Sequence, residues 1–370
     1  MSVLKKLRVD IPIWLFVFTG AFSSLSFADD KTLCESLPYY DDLDKSFSSI
    51  SIYMDQDLLV SSKKNSDRDY TMGFEISIGG DWVYKAPVYC HFSYALNSIN
   101  KTFLGGLSGV TDGALYIRSG SLGDIAFTPD DLSNSSPIRD DRPYANLLYA
   151  SVSEHVVYEK NEHANVITSK LTVGFLGLNV GRAVQTWIHE HGSSPTPRGW
   201  DHQISDGGEL TALYYRRKMR NYPTESPLGW TQPEFVTYWD YSLGYYIEAG
   251  AGARVRWGNI NSPLYVHVSD PMGTGNHAAT KGNDFYLFID LNAKYNAYNA
   301  LLQGQFRDSE VTYSSNEIRH LFGQVSLGVV KSWDSHSLSY VYHYRGSELE
   351  SGAGDRAHYF GGLYYSYVYE

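Results

Sequence analysis

The feature that most restricts the fold of this chain is a two-residue alternation of apolar and mixed polar side chains. The alternation is clearest in stretches 235–247, 285–295, 338–344 and 359–369. Successive side chains of a β-strand point to opposite faces, so each stretch predicts a strand with one apolar and one mixed polar face. The 31 Tyr, 16 Phe and 8 Trp residues strengthen this prediction, because aromatic residues are favoured in strands and at membrane–water interfaces.

Two architectures produce such strands. A soluble β-sandwich buries the apolar faces between its sheets, whereas a membrane barrel turns them to lipid and keeps polar side chains in its lumen. Long strands, aromatic residues at strand ends, an export signal and a strand at the C-terminus favour the barrel. Because bacterial barrels of this kind have even strand numbers, we predict an all-β, transmembrane antiparallel β-barrel of about twelve strands, with a short helix in one extracellular loop.

Residues 1–28 are predicted to be a secretory signal peptide. A basic N-terminus precedes an apolar segment over 11–22, and Ala28 completes a small-x-small cleavage site. The apolar segment is short for a helix that spans a bilayer, so an uncleaved anchor is the less favoured alternative. The mature chain, residues 29–370, is predicted to be exported and to form one outer-membrane barrel domain.

Charge and cysteine content restrict the partners and the compartment. The formal net charge of −11 argues against nucleic acid as a partner. Cys34 and Cys90 are the two cysteines of the chain. In an oxidising compartment they are expected to form a disulfide that ties the mature N-terminus to the third predicted strand, and the alternative is two free thiols.

The stretch 179–204 combines a candidate base with a local helix signal. Asn179 can begin a helix and Gly192 can end it, and apolar residues at helical spacing between them form one face. Gln185 and His189 are four residues apart, so they lie together on another face. A neutral imidazole can take a proton from water and a neighbouring amide can orient it, so His189 is a candidate general base. The alternative is an inert surface histidine.

Two further positions carry groups suited to chemistry. Asp55 and Asp57 are predicted to share the polar face of the first strand, where two carboxylates suggest a site for a hard metal ion or a hydrated strand end. Thr71 lies on the lumen-facing parity at the start of the second strand, where its hydroxyl could orient water or substrate or be an ordinary strand residue. Arg142, between acidic residues and a proline, is interpreted as a brace at a strand entry.

These positions belong to five short motifs that follow one another along the chain. They are Asp55-Gln56-Asp57-Leu58, Asp67-Arg68-Asp69-Tyr70-Thr71-x-Gly73, Asp141-Arg142-Pro143-Tyr144-Ala145, Gln185-x-x-x-His189 and Gly199-Trp200-Asp201-His202-Gln203-Ile204. In this order behind a signal peptide, they resemble the LpxR-type outer-membrane lipid A deacylases over residues 48–370. The resemblance implies a calcium-dependent barrel that hydrolyses the ester holding the 3′-acyloxyacyl chain of lipid A in the outer leaflet. Lipid A or lipopolysaccharide and the outer membrane are then the expected partners of a monomer.

The resemblance also implies roles for individual residues. His189 would be the general base that activates water, Gln185 would lie beside it, and Thr71 would match the family's hydroxyl. Gln56 and Asp57 match the family's Asn-Asp pair. Calcium near that pair would polarise the ester carbonyl and stabilise the oxyanion. With Asp55, Asp57 is the expected metal ligand.

Some positions depart from the family pattern. Gln56 is one methylene longer than the usual asparagine, and the stretch 130–134, which contains Asp130 and Asp131, stands where some members carry a basic pair. His191 and His202 are alternatives to His189 as the base. A non-catalytic barrel, such as a porin, an adhesin or a degenerate family member, is therefore the first alternative function. An esterase that acts on glycerophospholipid is the second.

Overall fold

A computed structural model describes residues 48–60, 68–80, 83, 86–104, 114–191, 194–223, 233–266 and 279–369. The predicted signal peptide and Cys34 lie outside the described residues. Within them the chain forms a closed barrel of twelve antiparallel strands, as the alternation predicts. The strands are β1 (Ser48–Gln56), β2 (Asp69–Gly79), β3 (Leu115–Thr128), β4 (Ala145–Lys160), β5 (His163–Leu176), β6 (Glu209–Pro223), β7 (Glu234–Gly244), β8 (Tyr246–Asn259), β9 (Phe285–Asn299), β10 (Leu321–Trp333), β11 (His336–Arg345) and β12 (His358–Tyr369).

Each strand pairs with its neighbours in sequence, and β1 closes the barrel on β12. Three helices complete the described elements: α1 (Pro87–Leu104), α2 (Val180–Glu190) and α3 (Ala300–Gln303). Short 3-10 turns cover Asp57–Leu59 and Trp200–His202. Among the described residues, the helices are all too short or too polar to cross a membrane.

The two ends of the barrel differ. Ser48 at the start of β1 pairs with Tyr369 at the end of β12, so both termini of the barrel lie at one end, which we call the terminal end. The other end, which we call the loop end, carries the connections 57–68, 129–144, 177–208, 300–320 and 346–357, whereas the terminal end carries the short turns 161–162 and 334–335 together with the longer connections 80–114 and 260–284. In bacterial outer-membrane barrels the longer loops face the cell exterior.

Paired charges and aromatic rings occupy the lumen. Buried Asp240 accepts hydrogen bonds from Arg217 at 2.8 Å and from Lys294 at 3.1 Å. Buried Glu75 accepts from Tyr149 and Lys170. Buried charges are tolerated where they are paired and hydrogen-bonded, so the lumen is a polar core. At the terminal end, Leu264, Tyr265 and Val266 pack against inward-facing residues of β5, β6 and β7.

The expected third strand near Cys90 is wrong, because Cys90 lies on helix α1. Cys90 is disulfide-bonded, and its predicted partner lies outside the described residues. The helix packs on the outer wall of the barrel: Leu96 and Ile99 contact Val152 and Leu171, which alternate with lumen-facing residues. The residues from Val88 to Leu96 also alternate as in a strand, so the local pattern is ambiguous there and tertiary packing selects the helix.

Candidate active site on the outer wall

The predicted short helix is confirmed, and it lies against the outer faces of β3 and β4 at the loop end. Gly181 allows this close approach, because a Cβ atom there would lie 2.7 Å from Asn146 Nδ2 and 3.2 Å from Ala126 Cβ. The Asn146 amide in turn donates to both carboxylate oxygens of Asp124 at 2.9 Å. These polar side chains point outward, yet helix α2 shields them.

Helix α2 turns its polar face to the barrel. Its buried residues are Gly181, Gln185 and His189, which recur every four residues. On the other face Val184 is 40% exposed and Trp187 is 62% exposed. The apolar face recognised in the sequence therefore points away from the protein, as expected for a helix that borders lipid.

The buried face of α2 fixes its two polar side chains. Gln185 Oε1 accepts a hydrogen bond from Trp200 Nε1 at 2.9 Å, and the Trp200 ring packs on Tyr144 with centroids 4.8 Å apart. His189 Nδ1 lies 2.5 Å from the carbonyl oxygen of Pro195. Because a carbonyl can only accept, Nδ1 is the donor in this bond. Nε2 is then the ring nitrogen that can act as a general base.

The other two candidate histidines are held differently. His202 engages both ring nitrogens, with Nδ1 2.7 Å from Glu310 Oε2 and Nε2 3.0 Å from the Ser135 carbonyl. His191 is exposed and bonds the Trp187 carbonyl of its own helix. Of the three histidines, His189 alone belongs to the face of α2 that packs on the barrel.

The residues of β1 and β2 meet at the same end of the barrel. A β-bulge between Tyr70 and Met72 interrupts the pairing with β3 at Thr71, and bulges re-aim side chains. The Thr71 hydroxyl lies 2.5 Å from that of Thr128, and both are buried. Gln56 faces Met72 across the strand pair. The motif did not point to Thr128, because it comes from a strand more than fifty positions away.

Asp55 and Asp57 do not share a strand face. Strand β1 ends at Gln56 and Asp57 begins a 3-10 turn. Asp55 faces the lumen, where its carboxylate accepts from Tyr364 at 2.8 Å and from Tyr70 at 3.2 Å. Asp55 therefore lies inside the barrel, apart from the candidate residues on the outer wall. Asp57, by contrast, is buried at the loop end and accepts a hydrogen bond from the Arg68 N–H at 3.1 Å.

The side chains near Asp57 offer the kind of oxygen ligands that a hard cation binds. A carboxylate and the Gln56 amide provide the oxygen ligands that calcium prefers, but calcium takes about six to eight of them. Within the described ranges, His, Cys, Asp and Glu side chains form no group of three or more that could hold a metal ion. Asp57 and Gln56 would therefore need oxygens from water, backbone or a bound lipid to complete a calcium site.

A charged network behind the site uses the other motif residues. Asp69 adopts a left-handed backbone conformation with φ of 65°, and Arg356 holds its carboxylate with two contacts of 2.9 Å. Arg356 also lies 2.8 Å from Asp141. The predicted brace, Arg142, is buried and pairs with Glu348 at 2.5 Å.

The ionisation of Glu348 in this network is set by the arginines around it. Burial raises the pKa of Glu348, but the charges of Arg345 and Arg142 outweigh burial, so the pKa lies below the ordinary value. Glu348 thus stays ionised and ties the 346–357 loop to the barrel mouth. Sequence motifs located Asp69, Asp141 and Arg142 but missed Glu348 and Arg356, which lie on a distant loop.

Comparison with known proteins identifies the family and the barrel fold. The profile of the family described as outer membrane protein LpxR matches residues 14–369. The crystal structure of LpxR from Salmonella typhimurium superposes with a TM-score of 0.65 at 14% identity, covering 87% of this chain and 100% of that chain. The β-domain of the Bordetella autotransporter BrkA gives a TM-score of 0.42 at 11% identity, covering 88% of this chain and 100% of that chain.

No curated protein sequence matches the chain. The family match spans nearly the whole chain, and the structural match repeats the barrel. The chain therefore belongs to the family of the outer membrane protein LpxR and is an outer-membrane β-barrel.

Proposed function

We propose that this protein hydrolyses the ester that holds the 3′-acyloxyacyl chain of lipid A, using water activated by His189. Membership of the LpxR family supports a lipid A deacylase kind of function. The observation that carries the role of His189 is its bond to the Pro195 carbonyl. This bond places the proton on Nδ1 and directs the basic Nε2 away from it.

The remaining residues position the reactants. Gln185 is anchored by Trp200, so its amide sets the orientation of the helix face that carries His189. The paired hydroxyls of Thr71 and Thr128 offer a hydrogen bond to water or to the ester. Calcium, bound with Asp57 and Gln56, would polarise the ester carbonyl and stabilise negative charge on its oxygen. Water attacks the carbonyl as His189 accepts its proton. When the tetrahedral intermediate collapses, the ester C–O bond breaks and the protonated His189 returns the proton to the leaving alkoxide, which releases the fatty acid and the lipid A alcohol.

The position of the site favours a lipid substrate. Helix α2 and the strands beneath it lie on the outer wall, so a lipid can reach the site sideways from the leaflet. The loop end faces the cell exterior in this class of barrel, which places the site in the leaflet that holds lipid A. A single chain supplies all the proposed residues, so we propose that a monomer suffices.

The lumen argues against the porin alternative. Paired charges such as Arg217 with Asp240 fill its interior, and residues 264–266 pack across its terminal end. A porin needs a water-filled channel instead. The phospholipid alternative has one supporting observation: Asp130, in the region of the family's basic pair, is acidic and pairs with Arg68 at 2.9 Å. That ion pair weakens the local positive charge for binding a lipid A phosphate.

Mass spectrometry of lipid A tests the proposal. Cells that express the chain should lose the mass of the 3′-acyloxyacyl group, and purified protein should do the same in calcium. Chelation or Asp57→Asn should abolish the loss, whereas the distant variant Ala293→Phe should retain it. Unchanged lipid A together with cleaved purified phospholipid would favour the alternative substrate. Unchanged lipids of both kinds, from folded protein, would contradict the esterase function.

A further inference from the structure

Helix α1 lies as a belt on the outer wall below the site. It follows one outward-facing row of the sheet, formed by Gly120, Val152, Leu171 and Tyr214, which pair in succession across β3–β6. A Cβ atom at Gly120 would lie 2.4 Å from the Tyr89 ring. At the other end of the belt, the Tyr214 hydroxyl donates to Asn100 Oδ1 at 2.7 Å.

A strip of wall remains open between α1 and α2. The next row toward the loop end, two residues or about 7 Å higher on each strand, is Leu122, Ala150, Val173 and Ala212. Above it, Asp124, Leu148, Phe175 and Leu210 form the last row before the strand ends. Asp124 is buried and accepts hydrogen bonds from the Asn146 amide, so the exposed side chains of this row are apolar. Leu122 is 56% exposed, Phe175 48% and Leu210 60%. The strip is apolar, and Ala150 and Ala212 make it shallow between larger neighbours.

The strip begins where the site ends. Gly181, at the start of α2, sits over Asn146 and Ala126, and Leu148 is the next outward residue of β4 below Asn146. An apolar chain attached to an ester at α2 therefore meets the strip at once. At its far end the chain meets α1, which covers Val152 and Leu171 in the next row of the wall.

We propose that this strip binds the acyl chain of the lipid whose ester is cleaved, and that α1 forms the floor that limits its length. The proposal rests on the deacylase function and adds a subsite to it. A straight hydrocarbon chain gains by covering the exposed Leu122 and Phe175 side chains. A chain longer than the strip must bend away from the wall at α1, and binding weakens because its last methylenes lose contact.

The test measures chain-length selectivity. Purified protein in mixed micelles with calcium is given two lipid A analogues, with a tetradecanoyl or an octanoyl chain at the scissile ester. Ala150→Phe fills the shallow centre of the strip, and we expect it to lower the ratio of long-chain to short-chain rates by roughly tenfold or more. Ala293→Phe makes the same change at an exposed, lipid-facing position of β9, and should leave the ratio of the wild type.

A second variant keeps the test decisive if Ala150→Phe does not fold. Leu122→Ala removes apolar surface that the end of the longer chain covers, and should shift the ratio toward the short chain. Folding is checked by heat-modifiable migration on gels. Equal ratios for the wild type, both strip variants and Ala293→Phe would overturn the subsite while leaving the deacylase function intact. No hydrolysis of either analogue by the wild type would overturn the proposed function and the subsite together.

Discussion

Strands β4 and β9 share the same alternation of inward and outward side chains, but the outward side chains of β9 are exposed and those of β4 are mostly covered. On β9 the outward residues are exposed at every second position from Phe285 to Ala297, and Leu287 and Leu291 are each about half exposed, at 50% and 49%. On β4 the outward residues from Asn146 to Val156 are buried except for half-buried Leu148 and Ala150. The β9 wall is a bare surface for lipid, whereas helices cover the β4 wall above and below a short strip.

The difference shows in the chemistry of the outward residues. A lipid-facing wall excludes charge, yet β4 places Glu154 and Asn146 on its outward face. Glu154 pairs with Arg118 at 2.7 Å beneath this cover, and Asn146 bonds Asp124 beneath α2. Polar residues on the lipid-facing parity therefore mark the part of the wall that the protein itself covers, which is also the part that carries the candidate site.

The largest expected effect separates two histidines that are held alike on the two walls. His320, near β9, also bonds a backbone carbonyl through Nδ1, that of Asn296 at 2.6 Å. His189→Gln should lower the deacylation rate by roughly a hundredfold to ten-thousandfold, because the base is lost. His320→Gln should keep wild-type rates in the same mass-spectrometric assay. Full activity in His189→Gln would show that the chemistry does not depend on the β4 wall.

A smaller effect compares an added charge on the bare β9 wall with the same charge on helix α1, which covers the β4 wall. Ile289→Arg places a charge on the lipid-facing side of β9 and should lower the free energy of unfolding by about 2–4 kcal/mol. Thr102→Arg places the same charge on the last turn of α1, where the attraction of a cation to the helix C-terminus, about 0.3–1 kcal/mol, offsets part of the cost, so the loss should be smaller. Guanidinium unfolding in liposomes measures both. An equal loss for the two variants would show that the end of α1 gives the charge no compensation.

The barrel and the helix that carries His189 could be read from the sequence, since strand alternation and helix signals are local. The coverage of the β4 wall could not, because residues 88–96 fit either pattern until Val152 and Leu171 select one face. The prediction that Asp55 and Asp57 share one strand face is wrong. Parity predicted it, but β1 ends one residue before Asp57, which leaves Asp55 alone with two tyrosines in the lumen.

Arg356 could not be found from the sequence either, because it acts across 287 positions on Asp69. Its contacts set the conformation next to the site. Asp69 holds a left-handed φ, the preceding Arg68 N–H binds Asp57, and the bulge at Thr71 follows. Through Asp69, Arg356 therefore positions the two neighbouring parts of the candidate site, Asp57 and Thr71.

The smallest expected effect tests this positioning role. Arg356→Gln should lower kcat about tenfold with little change in KM, because misplaced groups affect the transition state more than binding. Asp69→Gly keeps the left-handed backbone without strain and removes the carboxylate, so it should cost less. In the double variant the loss should match that of Asp69→Gly alone, since Arg356 then has no Asp69 to orient. Arg319→Gln, which removes half-exposed ion pairs with Glu350 and Asp355 and weak hydrogen bonds to the Leu349 carbonyl, is the matched control. Additive losses in the double variant would instead assign Arg356 to its other partner, Asp141, and leave the backbone of the site independent of the 346–357 loop.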